Sequence, residues 1–257
     1  TGHFGSASHA KVALPADPKL GSTSCEACHG PGSLHSKSGG AKGTIVNPRK
    51  SPETCFQCHL DKRAQFSLPN SHGVMSGKMG CSDCHNPMAK LSDSGLLKKP
   101  SINETCYTCH QQQRAEFAKR SHMPLPEGKM TCNDCHNPHG SATKPMLRGK
   151  TINEVCFTCH AEKRGPFLWE HAPVRENCAN CHTPHGSNQD KLLVAPRPFL
   201  CQQCHTAPNG HATALYNQSQ SLGGGGALSS RVMGRSCQNC HVQVHGSNHP
   251  SGARFQR

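Results

Sequence analysis

Eighteen cysteines and twenty histidines are the residues best able to do chemistry in this 257-residue chain. Every cysteine sits in a Cys-x-x-Cys-His block. The first five blocks are Cys25, Cys28 and His29; Cys55, Cys58 and His59; Cys81, Cys84 and His85; Cys106, Cys109 and His110; and Cys132, Cys135 and His136. The last four are Cys156, Cys159 and His160; Cys178, Cys181 and His182; Cys201, Cys204 and His205; and Cys237, Cys240 and His241. Two thiols at this spacing reach the two vinyl groups of one haem and form thioethers, and the His that follows lies under the iron. Zinc sites, redox-active thiol pairs and disulfides use the same residue types. None of them requires His directly after the second Cys nine times over. Heme c is therefore the expected cofactor, nine in this chain, with the nine block histidines as proximal iron ligands.

The face opposite the proximal His decides the chemistry. A filled face leaves an iron that exchanges electrons, and an open one can bind substrate. Eleven histidines lie outside the blocks. Nine of them, His9, His35, His72, His122, His139, His171, His185, His211 and His245, follow a block or the place of a missing one in register. They are the expected distal ligands, whereas His3 and His249 fall outside the pattern. After His85 the register position is Met88, whose thioether can ligate iron and would raise that haem's potential. The other reading is that Met88 packs against haem while a spare His ligates. His139 lies three residues after His136 on the same side of one turn, so it cannot reach the far face of its own haem and must serve a neighbour. The same holds for His185 after His182. With a candidate for every block, an enzyme with an open catalytic haem is disfavoured and no catalytic residue is expected.

The elements that position these residues repeat with a period of about 50 residues. Pro52-Glu-Thr-Cys-Phe-Gln-Cys-His59, Ile102-Asn-Glu-Thr-Cys-Tyr-Thr-Cys-His110 and Ile152-Asn-Glu-Val-Cys-Phe-Thr-Cys-His160 are three copies of one opening. Arg63, Arg114 and Arg164 follow, then the lone His72, His122 and His171. A second block then ends in His85-Asn-Pro-Met88, His136-Asn-Pro-His139 or His182-Thr-Pro-His185. The chain reads as a single elongated domain over 1–257. Its dihaem repeats span about 1–50 (partial), 51–100, 101–150, 151–200 and 201–257. The last is looser, with a Gly223–Gly226 run that reads as a loop. Counting back from His9 predicts a tenth block upstream of residue 1.

Only 33% of residues are hydrophobic and 4% aromatic, and Gly and Pro number 25 and 19. Such a chain has little of its own to bury, so haem must supply the core. The expected fold is a multihaem cytochrome c, mostly irregular with short α-helices and no significant sheet. Gln111–Lys119 and Ala161–Glu170 are the segments best suited to helix, and Trp169 reads as haem packing rather than an electron relay. The formal charge of +13 suggests nucleic acid until the propionates are included. Eighteen propionates take it to about −5 with every iron ferrous, and nine ferric irons to about +4. The basic side chains are then propionate partners, and nucleic acid is not an expected ligand.

Haem is joined to thiols outside the cytoplasmic membrane, so the chain must be exported. It opens without an apolar signal region, which reads as a removed leader. No apolar run approaches the roughly 20 residues of a spanning helix, so no transmembrane helix of its own is expected.

Three stretches carry a family resemblance: Cys159-His-Ala-Glu-Lys-Arg-Gly-Pro-Phe-Leu-Trp-Glu-His-Ala-Pro173, Leu200-Cys-Gln-Gln-Cys-His205 and Gly234-Arg-Ser-Cys-Gln-Asn-Cys-His-Val-Gln-Val-His-Gly-Ser-Asn-His-Pro-Ser-Gly252. The sequence resembles the MtrA/DmsE family of decahaem cytochromes from about His9 onward. The resemblance implies an elongated haem rod with six-coordinate irons, threaded through an outer-membrane β-barrel porin. It would pass electrons between periplasmic and extracellular cytochromes or a mineral, in a direction the sequence does not give. A soluble periplasmic shuttle to a terminal reductase is the alternative. The departures are nine blocks instead of ten, and Met88 in place of His.

Overall fold

The structure is a computed structural model that describes His9, residues 25–205 and 236–250, and Gly252. Each block folds as one tight turn. In all nine the His N–H donates to the carbonyl of the first Cys, at 2.9–3.0 Å, which is the bond that closes a helical turn. The turns lie in the α-helices Glu26–His29, Glu53–Phe56, Cys81–Cys84, Ile102–Tyr107, Ile152–Phe157 and Phe199–Gln202, and in the 3-10 helices Cys132–Asp134, Cys178–Asn180 and Cys237–Asn239. Local chemistry starts them. The Ser101 and Thr151 hydroxyls accept the N–H groups of Glu104 and Glu154 at 3.1 Å, each capping a helix that its own sequence would leave marginal.

Helices Leu60–Phe66 and Gln111–Phe117 follow two of the first blocks, the second of them where the sequence predicts it. The expected helix over Ala161–Glu170 is only a 3-10 turn, Ala161–Lys163. Gly165 at φ +81 turns the chain out of helical conformation, and Pro166 lacks the N–H needed to continue. A helix appears instead at Ala172–Glu176, with Pro173 in its first turn. Among the described residues the extended contacts are isolated β-bridges outside any named strand. No helix among them is long and apolar enough to cross a membrane.

The apolar side chains form small local clusters. In one, Phe56, Phe66 and Val74 pack with Met79 and Cys81. By its contacts the chain divides into two compact units. One comprises 1–111 with 127–150, and the other 112–126 with 151–257.

Within a repeat one asparagine ties the first block to the second. Asn153 is 7% exposed. Its Oδ1 accepts the Cys178 N–H at 2.7 Å, and its Nδ2 donates to the Val174 and Arg175 carbonyls at 2.9 and 3.0 Å. Asn103 does the same in the other unit, accepting from the Cys132 N–H at 2.9 Å and donating to the Met130 carbonyl at 3.1 Å. Repeat 51–100 has no such asparagine; its Asp83 pairs instead with Arg49 of the preceding repeat at 2.9 Å and also accepts the Gly80 N–H.

Candidate functional site

None of the eighteen cysteines is joined to another in a disulfide. The two cysteines of a block differ in setting. The second is exposed in Cys28, Cys58, Cys109, Cys159, Cys204 and Cys240, and half-buried in Cys84, Cys135 and Cys181. The first is half-buried everywhere except Cys25, which is exposed. An attachment thiol has to be open to the vinyl group it joins. In three repeats the first Cys of one block meets the first Cys of the next. A hydrogen bond between Cys55 and Cys81 pushes the Cys55 thiol up and holds that of Cys81 down at about 7. The same bond raises Cys106 and lowers Cys132. Burial, with Cys237 beside it, raises Cys201 to about 11. The attachment points of two blocks are thus adjacent. Among the described residues no three His, Cys, Asp or Glu side chains gather around a common point as a closed metal site needs.

The second-block histidines are held by a recurring device. Nδ1 of His85 donates to the Gly95 carbonyl at 2.5 Å, that of His136 to Pro145 at 2.8 Å, and that of His182 to Lys191 at 2.8 Å. His29 does likewise toward Val46 at 3.1 Å. The carbonyls of Gly95, Pro145 and Lys191 are each followed by a side-chain-bearing residue in the left-handed region, Leu96 (φ 48), Met146 (φ 58) and Leu192 (φ 58). Such backbone is costly and persists where the surroundings enforce it. Here the carbonyls of those same residues accept the N–H of Asn86, Asn137 and Thr183 at 2.6, 2.8 and 2.8 Å. An Nδ1–H spent on a carbonyl leaves the Nε2 lone pair for a metal.

Among the described residues His59, His110, His85, His205 and His182 each face a lone histidine. Ring centres lie 6.0 Å apart for His59 and His9, 6.2 Å for His110 and His72, and 6.1 Å for His85 and His139. They lie 6.2 Å apart for both His205 with His171 and His182 with His245. Imidazoles bound to opposite sides of one first-row metal, with bonds of about 2 Å, put their ring centres about 6 Å apart. The residues present therefore fit a haem iron between each pair. Burial holds His139 down to about 4 and also lowers His9 and His245, which keeps these rings in the neutral form that ligates.

The pairings cross between repeats in both directions. His72 of repeat 51–100 faces His110 of the next, while His139 of that next repeat faces His85. His171 and His245 do the same between the last two repeats. The exchanged segments also touch. His72 Nδ1 donates to the carbonyl of Pro138, just before His139, at 2.7 Å. His171 Nδ1 donates to that of Val244, just before His245, at 2.9 Å.

The remaining candidates are placed as follows. His241 closes the last block, its N–H on the Cys237 carbonyl at 2.9 Å, and its side chain is half-buried rather than enclosed. His160 closes its own turn on Cys156 at 2.9 Å, with Nδ1 3.6 Å from the Glu162 carboxylate. His122 Nδ1 donates to the Lys119 carbonyl at 2.6 Å, and His35 Nδ1 pairs with the Thr44 hydroxyl at 2.9 Å. His185 lies 3.3 Å from the Glu116 carboxylate and edge-on to Phe117. Met88 is 50% exposed. His211 lies outside the described residues, as do His3 and the Gly223–Gly226 run. Trp169 donates its indole N–H to the His249 carbonyl at 3.1 Å, an anchoring role that the sequence reading did not include. A cavity beside His139 is rimmed by the cations Lys62, Arg148 and Lys150.

The chain matches the doubled CXXCH motif family at residues 72–115, 122–165 and 171–210. It is 45% identical over 239 residues to the multiheme cytochrome MtrA of Shewanella baltica (strain OS185), covering 91% of this chain and 70% of that protein. A solved structure, the undecaheme cytochrome from the S-layer of Carboxydothermus ferrireducens, is 18% identical. That match covers 91% of this chain and 32% of the other, at a TM-score of 0.14.

Proposed function

The chain belongs to the MtrA family of multihaem c-type cytochromes, electron-transfer proteins rather than enzymes, and from that premise we infer that it conducts electrons across the outer membrane from within a porin barrel. When bound, haem c supplies a one-electron iron couple. The chain's own residues fix where each haem sits, close both faces of its iron and keep neighbours close.

The observation that carries this reading is the five imidazole pairs at 6.0–6.2 Å. Iron held between two imidazoles has no position left for substrate, so it can only pass charge. In this reading the nine block histidines are the proximal ligands of nine haems. His9, His72, His139, His171 and His245 are the distal ligands of the haems at His59, His110, His85, His205 and His182. His35, His122, His185, His211 and Met88 complete the distal set.

An apolar layer of about 30 Å blocks charge, and a row of closely spaced haems spans it without a helix in the lipid. The chain's polar surface suits the polar lumen of a large barrel. Periplasmic and extracellular cytochromes are the partners at the two sides, and their potentials set the direction of flow.

Reconstitution tests this. The chain should co-purify with a β-barrel protein, and liposomes holding both should oxidise an internal dye when an acceptor is added outside. Full solubility with no barrel partner, together with reduction of a periplasmic terminal reductase, would replace the conduit by a soluble shuttle.

A further inference from the structure

Three loops that follow a second block are built alike, as His139-Gly140-Ser141, His185-Gly186-Ser187 and His245-Gly246-Ser247. Each docks on another segment through a bridge, Ser141 with Asn70, Ser187 with Ser121 and Ser247 with Trp169. The approach admits only glycine at the middle position. A Cβ would lie 2.2 Å from the Gln65 carbonyl oxygen at Gly140 and 2.0 Å from that of Glu116 at Gly186. At Gly246 it would lie 2.4 Å from the Phe167 ring. The serines are 9%, 7% and 4% exposed.

The corresponding loop of repeat 51–100 reads Met88-Ala89-Lys90 and departs at all three positions. Ala89 carries the Cβ that such an approach excludes. Lys90 replaces a buried hydroxyl by an exposed cation, paired with Asp93 of its own loop at 3.8 Å. The Met88 N–H donates to Asn86 Oδ1 at 3.1 Å, as the His139 N–H does to Asn137 Oδ1 at 3.2 Å, so the difference lies in the docking. Among the described residues, no bridge joins 88–90 to another segment.

The pairings say which haem this loop serves. His85 faces the loop of the next repeat through His139, and His182 through His245. One repeat earlier the same rule sets Met88 opposite His29. No second imidazole faces His29 among the described residues.

Resting on the ligand reading above, we propose that the haem carried by Cys25 and Cys28 is a binding site for a neutral diatomic ligand such as carbon monoxide or nitric oxide. Met88 is its exchangeable sixth ligand. The exchange breaks one iron–sulfur bond and forms one bond to the diatomic, with no proton or electron transferred. Thioether is a weaker iron ligand than imidazole, and an undocked loop is not preorganised to return it. The sister loops are pinned by glycine docking, and the rings of His139 and His185 rest on Phe66 and Phe117 at 5.4 and 5.5 Å. Those ligands stay in place.

The probe is carbon monoxide titrated into the reduced, fully haem-loaded chain and read from the Soret difference spectrum. The expected uptake is about one molecule per chain. The Met88→His/Ala89→Gly/Lys90→Ser variant, whose loop matches its docked sisters, should lose that uptake while retaining the full haem content. Met88→Leu keeps the volume but removes the sulfur, and should bind at least about 10-fold more tightly because no internal ligand competes. It keeps the test decisive if the triple variant fails to load haem. No uptake by the native chain overturns the site and leaves the saturated row intact. Uptake unchanged in either variant also overturns it, because the ligand then sits elsewhere. Uptake of several molecules overturns the saturated reading as well.

Discussion

Gly140→Ala separates docking from ligation. The new Cβ would stand 2.2 Å from the Gln65 carbonyl oxygen and 3.1 Å from Ser71 Cβ, on backbone at φ +146. Ordinary contact begins near 3.4 Å, so the loop must retreat by about 1.2 Å. That retreat stretches the Ser141 N–H bond to the Asn70 carbonyl, now 2.8 Å, and its return bond at 3.2 Å beyond useful length. Two lost hydrogen bonds at about 1 kcal/mol each, with overpacking of about 1–3 kcal/mol, predict a destabilisation of about 3–5 kcal/mol. His139 moves with the loop, by an amount comparable to half an iron–imidazole bond. Haem on Cys81 and Cys84, opposite His85, should therefore become partly high-spin while that on Cys132 and Cys135 stays low-spin. Denaturant titration gives the first quantity, and magnetic circular dichroism with haem-specific assignment gives the second. A variant of native stability would show that the glycine is not required by the approach. A high-spin haem on Cys132 and Cys135 instead would show that His139 serves its own block.

Asn153→Ala removes three hydrogen bonds from a buried site and should cost about 2–4 kcal/mol; a negligible loss in guanidinium titrations would discount the tie between blocks. The imidazole planes of His9 and His59 are at 62° and those of His72 and His110 at 68°, against 22°, 20° and 13° for the other three pairs. Ferric electron paramagnetic resonance should therefore show two low-spin classes, strongly anisotropic for the crossed pairs and rhombic for the near-parallel ones. His72→Ala should diminish the first class only. A Met-to-iron charge-transfer band in the far red of the oxidised protein, lost in Met88→Leu, is expected from the ligand set proposed for His29.

The attachment chemistry was legible because it is local. Two thiols and an imidazole within five residues need only one helical turn, and all nine turns form. That the His139 ring turns toward His85 of another block was legible for the same reason, since a three-residue offset restricts what a side chain can reach. The partner was not, because His85 and His139 meet through docking at Asn70 and Gln65, about seventy residues away in sequence. Asn103 and Asn153 stood in the repeated opening without a visible task, as their bonds are to backbone of the following block. Leu96, Met146 and Leu192 gave no signal at all: nothing in a leucine or methionine announces a left-handed backbone, which only the carbonyl grip on His85, His136 and His182 explains. The helix expected at Ala161–Glu170 failed where Gly165-Pro166 should have been read as its end.

In the proposed ligand set repeats 51–100 and 101–150 trade ligands in both directions, as do 151–200 and 201–257, so none of these is a finished object. Duplicating or deleting one whole repeat keeps every donor opposite a recipient, whereas an insertion of half a repeat strands one on each side. Lengthening such a protein over evolution is therefore quantised, by two haems at a time. An engineer wishing to shorten or extend it should cut between equivalent residues of successive copies, such as Ser101 and Thr151, and nowhere else.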